Sequence, residues 1–201
     1  MNNLIRPWNL VFFAGFIVYC SIRGVFKGRA ERHEKTVRRL DAFERILLSF
    51  VFAGALLLPA LYLFTPWLGF TDYRLPASVQ WCGTLLMPPA LLLFYRSHAD
   101  LGENWSVTLE LRQGHQLVTR GVYKSIRHPM YAAIFLWDIA QGFLLENWLA
   151  GWCALFTFAI LYLVRTPREE RMMREFFGEE YLDYTRQTGR LLPPPRIARR
   201  D

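Results

Sequence analysis

Three short runs of this 201-residue chain hold the residue types from which a reactive site could be built. In the first, Arg127-His128-Pro129-Met130-Tyr131 sets an arginine, an imidazole and a phenol around a proline. The proline ring biases His128 away from helical backbone toward an extended conformation. Pro129 itself suits the first turn of a helix, where an N–H would have no intrahelical partner in any case. Arg127 and His128 are thereby presented at the mouth of the apolar block that follows. That placement reads either as a pocket wall or as a capped helix start whose arginine meets lipid phosphate. In the second run, Glu169 and Glu170 stand beside Arg165 and Arg168. A carboxylate there could hold a cationic ligand such as the ammonium of an amino-acid cofactor. By charge pattern alone, a solvated helix face is the simpler reading. In the third, Asp138 and Gln141 lie three apart on one helix face. Polar residues at such depth tend to face a bundle interior, where interhelical hydrogen bonding is as good an account as catalysis. They are left out of the expected site.

Other chemistries find no support. The four histidines do not pair with a carboxylate at metal-ligand spacing. No phosphate loop or strand–turn–helix dinucleotide fingerprint occurs, which excludes a soluble-type nucleotide domain, and no serine sits in a nucleophile elbow. Cys20, Cys82 and Cys153 each fall inside an apolar block. Odd in number and scattered, they read as small hydrophobes, not as a disulfide framework or a zinc site.

The elements that must position these runs are membrane-spanning helices. The chain is 53% hydrophobic yet 20% charged, and the two kinds of residue are segregated: apolar blocks separated by charged gaps, the pattern of spans and loops. A helical crossing takes about 20 apolar residues. Residues 8–26, 46–70 and 77–95 each suffice, with Arg23 near enough to one end to snorkel. Pro59 predicts a kink in the second block, and Pro88-Pro89 a break in the third. Residues 131–164 are too long for one helix, and Glu146-Asn147 near their middle predicts a turn between two short antiparallel spans. The expectation is therefore an all-α polytopic membrane protein with five transmembrane helices, the last two a hairpin. It forms a single domain over 1–201, with three spans in 1–100 and the chemistry in 101–193.

Basic charge tests that count. All 24 lysines and arginines except Arg6 and Arg74 fall in 23–45, in 96–127, or from 165 onward. Five spans put those three regions on one side, and the positive-inside rule makes that side cytoplasmic, with the amino terminus outside. The net charge of +7 then meets anionic lipid headgroups. It lines no element of a nucleic-acid reader. The opening MNNLIRPWNL lacks a basic n-region and a cleavage site, so the first block reads as a retained span. Residues 168–186 alternate aromatics and methionines with charges at near-helical spacing, which predicts a cytoplasmic amphipathic helix broken at Gly178.

The run HQLVTRGVYKSIRHPMY, a hydrophobic hairpin, then RTPREE and FFGEEYLDY, taken together and in order, resemble the isoprenylcysteine carboxyl methyltransferase family and, more distantly, phospholipid N-methyltransferases. The resemblance covers residues 101–193. It implies an S-adenosylmethionine-dependent methyltransferase acting on a lipophilic or amphipathic acceptor, with a carboxylate favoured. By motif position, His115, Gln116, Leu117 and Val118 would line the cofactor, and Tyr123, His128, Pro129, Met130 and Tyr131 would continue that wall. Glu169 would engage the amino-acid end of the cofactor, Arg165 the acceptor, and Arg127 would support the turn. The family often has glycine where Ala133 stands, and Thr108 replaces a longer polar residue found in some relatives. No metal and no nucleic acid is implied. Two other readings stay open at this level: an NADPH-dependent membrane reductase of the sterol-reductase type, which shares an arginine-histidine-proline turn, and a non-enzymatic membrane scaffold.

Overall fold

The computed structural model describes residues 3–30, 42–102 and 116–194. The described residues form an all-α bundle: α1 (Pro7–Ala30), α2 (Ala42–Phe52), α3 (Leu58–Phe64), α4 (Ala77–Leu101), α5 (Pro129–Leu144), α6 (Trp148–Phe177) and α7 (Glu179–Gln187). A π-helical turn, Ala53–Leu57, joins α2 and α3 into one rod. Among the described residues, four helical segments are long and apolar enough to cross a bilayer: Pro7–Gly28, Ala42–Phe64, Ala77–Leu101 and Trp148–Phe177. The chain is an integral membrane protein of which four crossings are evident, one fewer than expected. The difference is α5. Its 16 residues rise about 24 Å, short of a hydrocarbon core of about 30 Å.

What α5 lacks in length it makes up in packing. Buried residues occur around its whole circumference, including Ala132, Ala133, Trp137, Ala140 and Leu144. Asp138 and Gln141 are buried on its other sides, and no residue of α5 is exposed, so its neighbours sheathe it all round. Gly83 of α4 makes that possible, since a Cβ there would lie 2.9 Å from Cβ of Phe143 and 3.2 Å from the Ala140 carbonyl. On another side, Trp137 packs against Phe12 and Tyr19 of α1. A three-residue turn returns the chain antiparallel into α6, with Asn147 as N-cap accepting from the Ala150 N–H at 2.9 Å. The turn expected at Glu146-Asn147 is present.

Three proline and glycine expectations meet different outcomes. Before Pro59, the helical ladder slips to a π turn in which the Leu58 N–H reaches back to the Ala53 carbonyl. Proline has no N–H to continue that register, so the Gly54 carbonyl loses its helical partner. The Nε2 of Gln141 fills the vacancy at 3.2 Å and also donates to the Ala150 carbonyl at 2.7 Å. Gln141 is thus a structural clamp between helices. At Pro88-Pro89 the expected break is absent and α4 runs on. Both prolines lie on the exposed side, while Gly83, Met87, Ala90 and Phe94 on the buried side are held by packing. The tail is also corrected. Residues 168–177 continue α6 through Pro167, and the separate helix starts after Gly178. Gly178 has φ +56°, a conformation open to glycine, and its N–H closes on the Arg174 carbonyl at 2.9 Å.

Candidate functional site

Where the start of α5 meets the last third of α6, side chains from both helices and from the chain after α7 converge. The meeting is built on backbone first. His128 has the non-helical φ of −122° that its proline neighbour requires. The extended stretch before α5 pairs in parallel with the segment after α7 through an Ile126–Gly189 bridge. The Arg127 N–H donates to the Gly189 carbonyl at 2.8 Å, the His128 N–H to Arg190 at 2.9 Å, and the Gly189 N–H to Ser125 at 3.1 Å. Arg127 reinforces this strap, donating from one guanidinium nitrogen to the carbonyl of Thr185 at 3.1 Å and to that of Thr188.

Two carboxylates on adjacent residues of α6 organise the side chains. Glu169 Oε1 accepts the Tyr131 hydroxyl at 2.6 Å and the Arg165 Nε at 2.9 Å. Its Oε2 lies 3.6 Å from Nδ1 of His128. Glu170 faces the strap. Its Oε1 meets Nε of Arg127 at 3.3 Å, Nε2 of His128 at 3.4 Å and Nε of Arg190 at 3.1 Å, and its Oε2 takes the second Arg190 nitrogen at 2.7 Å. This bidentate contact raises the Arg190 pKa above its ordinary value. His128 stands between the two carboxylates and stacks on Tyr131 with centroids 5.5 Å apart. Tyr131 in turn meets the edges of Phe158 and Tyr162. The result is an aromatic wall with one carboxylate, Glu169, held at its rim. So the bland reading of the Glu-Glu pair, a solvated face, does not hold: both side chains are largely buried, Glu170 at 8% exposure.

Among the expected site residues, His128, Tyr131, Arg165 and Glu169 are thus brought together in one cluster. Pro129 is buried at the first turn of α5 and Met130 is half-buried beside it. Tyr123 lies on a 3-10 turn, its hydroxyl donating to the Ser97 carbonyl at 3.3 Å while the Tyr184 hydroxyl donates to the Tyr123 carbonyl at 2.7 Å. Burial raises both phenol pKa values, so both hydroxyls keep their protons. That turn is fixed by Gly121 at φ +59°, where a Cβ would collide with the Asp100 carboxylate that accepts from the Val122 N–H. Gln116, Leu117 and Val118 have no regular secondary structure, and no hydrogen bond or ion pair among the described residues ties them to the cluster. His115 and Thr108 lie outside the described residues. Asp138 is fully buried deeper in the bundle.

Sequence reading missed Arg190 and Thr188, which lie in a tail stretch with no periodicity, and Glu44. The last sits in the first turn of α2, with Oε1 3.8 Å from Arg165. A single acidic residue at a span's end gives no signal of such a pairing.

Residues 84–175 match the model of the isoprenylcysteine carboxyl methyltransferase (ICMT) family. The mouse protein-S-isoprenylcysteine O-methyltransferase is 40% identical over 90 residues, which are 45% of this chain and 32% of that protein. The Dictyostelium discoideum protein-S-isoprenylcysteine O-methyltransferase is 28% identical over 148 residues, covering 71% of this chain and 60% of the relative. The matched stretch thus spans about a third of the mouse protein's length. In three dimensions the chain resembles the solved structure of the eukaryotic intramembrane Ras methyltransferase ICMT, with a TM-score of 0.58 and 25% identity over 95% of this chain and 69% of that one. The aligned segment contains the His128–Tyr131 turn, Arg165, Glu169 and Glu170, and sequence, fold and site thus agree in likening this chain to the isoprenylcysteine carboxyl methyltransferase family.

Proposed function

We propose that this protein is an S-adenosylmethionine-dependent methyltransferase of the membrane, and that its acceptor is a lipophilic carboxylate of the isoprenylcysteine type. The observation that carries the reading is the Glu169 carboxylate, fixed by Tyr131 and Arg165 at the rim of an aromatic wall. The relatives named above are protein-S-isoprenylcysteine O-methyltransferases, which supports the choice of donor and acceptor.

The residues suit such a donor. Among the described residues, Oε2 of Glu169 meets His128 at 3.6 Å, and it retains acceptor capacity for an ammonium group. The aromatic wall of Tyr131 and Tyr162 suits a cationic sulfur. His115, Gln116, Leu117, Val118, Tyr123, Pro129 and Met130 complete the expected lining. The donor supplies a methyl group already activated by its positive sulfur. What is left to the protein is positioning, the largest single contribution that orientation can make. Glu169 anchors, Tyr131 and Arg165 keep the Glu169 carboxylate from rotating, and Arg165 receives the acceptor's carboxylate as a charge-assisted pair. A carboxylate is its own nucleophile, so no side chain needs to remove a proton.

The same reading sets the topology. With α5 as a fifth, shortened crossing, all three basic regions share one face, which the positive-inside rule makes cytoplasmic with the amino terminus outside. The chain acts as one membrane-embedded domain, the first three crossings supplying the lipid-side wall of the site. The test is calorimetric titration of S-adenosylmethionine into the detergent-purified protein. Saturable binding weakened about 100-fold or more in Glu169→Ala is expected, because the substitution removes a charge-assisted anchor from a largely buried site. Full affinity in that variant would refute the assigned anchor, and absence of binding to the wild-type protein would refute the reading.

A further inference from the structure

Glu44 lies outside the segment that matches the family, forty residues before it, yet its carboxylate reaches the site from α2. Its Oε1 is 3.8 Å from a terminal nitrogen of the Arg165 guanidinium, with 15% and 12% of the two side chains exposed. That separation is an ion pair but exceeds hydrogen-bond length. The same oxygen is buried and has no hydrogen-bond partner among the described residues. On the other edge of the guanidinium, Nε donates to Glu169 at 2.9 Å. Arg165 is therefore held by two carboxylates in unlike ways: by a short charge-assisted bond on one side, and by charge alone on the other.

The loose pairing is the exchangeable one. A buried carboxylate oxygen without a donor is poorly satisfied where it stands, so little holds Glu44 against this guanidinium except opposite charge. A second carboxylate arriving at Arg165 would face the like charge of Glu44 at close range, in surroundings largely withdrawn from water.

We infer that Glu44 is an internal competitor for Arg165: it occupies the guanidinium edge that an acceptor carboxylate takes, and so sets the affinity and charge selectivity for the acceptor. This rests on the carboxyl-methylation reading above. Glu44 acts through Arg165 and makes no bond to the reacting atoms. It is a specificity residue contributed by the amino-terminal half, which makes that half part of the site.

The experiment uses full-length protein saturated with S-adenosylhomocysteine, so that no methyl is transferred. S-farnesyl-N-acetylcysteine and its methyl ester are titrated into wild type and Glu44→Gln. Removing the competing charge should tighten binding of the acid about fivefold while leaving the ester unchanged, a difference that an effect on packing alone would not produce. Glu44→Asp, which keeps the charge on a shorter stem, should leave the acid-to-ester ratio nearer that of wild type. Unchanged binding of the acid in Glu44→Gln, or equal tightening of acid and ester, overturns the inference. Should Glu44→Gln fail to bind S-adenosylhomocysteine, the ratio in Glu44→Ala decides by the same criterion. Should wild type bind S-adenosylhomocysteine but neither acid nor ester, the carboxylate reading falls and this inference with it.

Discussion

The two ends of the α5–α6 hairpin handle polar groups in opposite ways. At the turn end, most of the side chains that bond are neutral, and most of their partners are backbone groups. Asn147 donates to the Leu68 carbonyl at 2.7 Å and to Asp72 at 2.7 Å while capping α6. The Tyr73 hydroxyl bridges the Gly142 carbonyl, at 3.0 Å, and the indole of Trp152, at 2.7 Å. Glu146 accepts from the Leu75 N–H at 2.9 Å. These bonds tie the loop between α3 and α4 to the α5–α6 turn and to the helix ends beside it, with one ion pair, Arg6–Glu146 at 3.6 Å, at the edge. At the other end, charged groups share partners: two arginines and the His128 imidazole gather on Glu170, and Arg165 meets both Glu169 and Glu44. Neutral bonds to backbone hold a shape at low desolvation cost. Shared charges with several partners hold a position while leaving capacity that a ligand can use. The fold is locked at one end, and the chemistry is kept adjustable at the other.

This contrast predicts that perturbations at the two ends separate activity from stability. The largest effect is expected at the site end. Arg127→Ala removes the donor to the Thr185 and Thr188 carbonyls and takes one of two arginines from the buried Glu170. Breaking such a network typically costs about 3 kcal/mol or more. Thermal melting of the purified protein should fall, and S-adenosylmethionine affinity should fall with it, because His128 is anchored to the same strap. Retained affinity in this variant would show that the strap serves the fold alone and would break the comparison. Next is Asn147→Ala at the turn end. Removing an N-cap together with its bonds to the loop should cost about 2 kcal/mol in stability, with cofactor affinity unchanged in the folded fraction. The smallest is Tyr73→Phe. One hydroxyl with partners on each side is worth about 1 kcal/mol, readable as a modest drop in melting temperature and nothing in titration. A loss of cofactor affinity in either turn-end variant would show that the two ends are coupled through α5.

The separation between ends also explains which residues could be read in advance. The turn end announced itself through Glu146-Asn147, a polar pair in an otherwise apolar block. At the site end, His128-Pro129 stood out as a proline-fixed helix start, and Glu169-Glu170 as paired carboxylates beside arginines. Gln141 was visible as polar at depth, but its task could not be read. It answers a carbonyl freed by Pro59, more than eighty residues away in the chain.

Local composition by itself determined that the chain lies in a membrane, that it is helical, where its blocks turn, and which short runs could bind a cation. Each of these follows from neighbouring residues: apolar length against bilayer thickness, the missing N–H of proline, the preference of asparagine for a helix start. Tertiary structure alone decided the rest. Pro88-Pro89 do not break α4 because packing on the opposite face outweighs two missing hydrogen bonds. That the 16-residue α5 is enclosed by its neighbours on every side is a property of the packed bundle. Arg190 and Glu44 reach the site from distant parts of the chain because a parallel strap and a helix–helix packing carry them there. Such placements depend on long-range packing, and no periodicity or spacing within one segment encodes them.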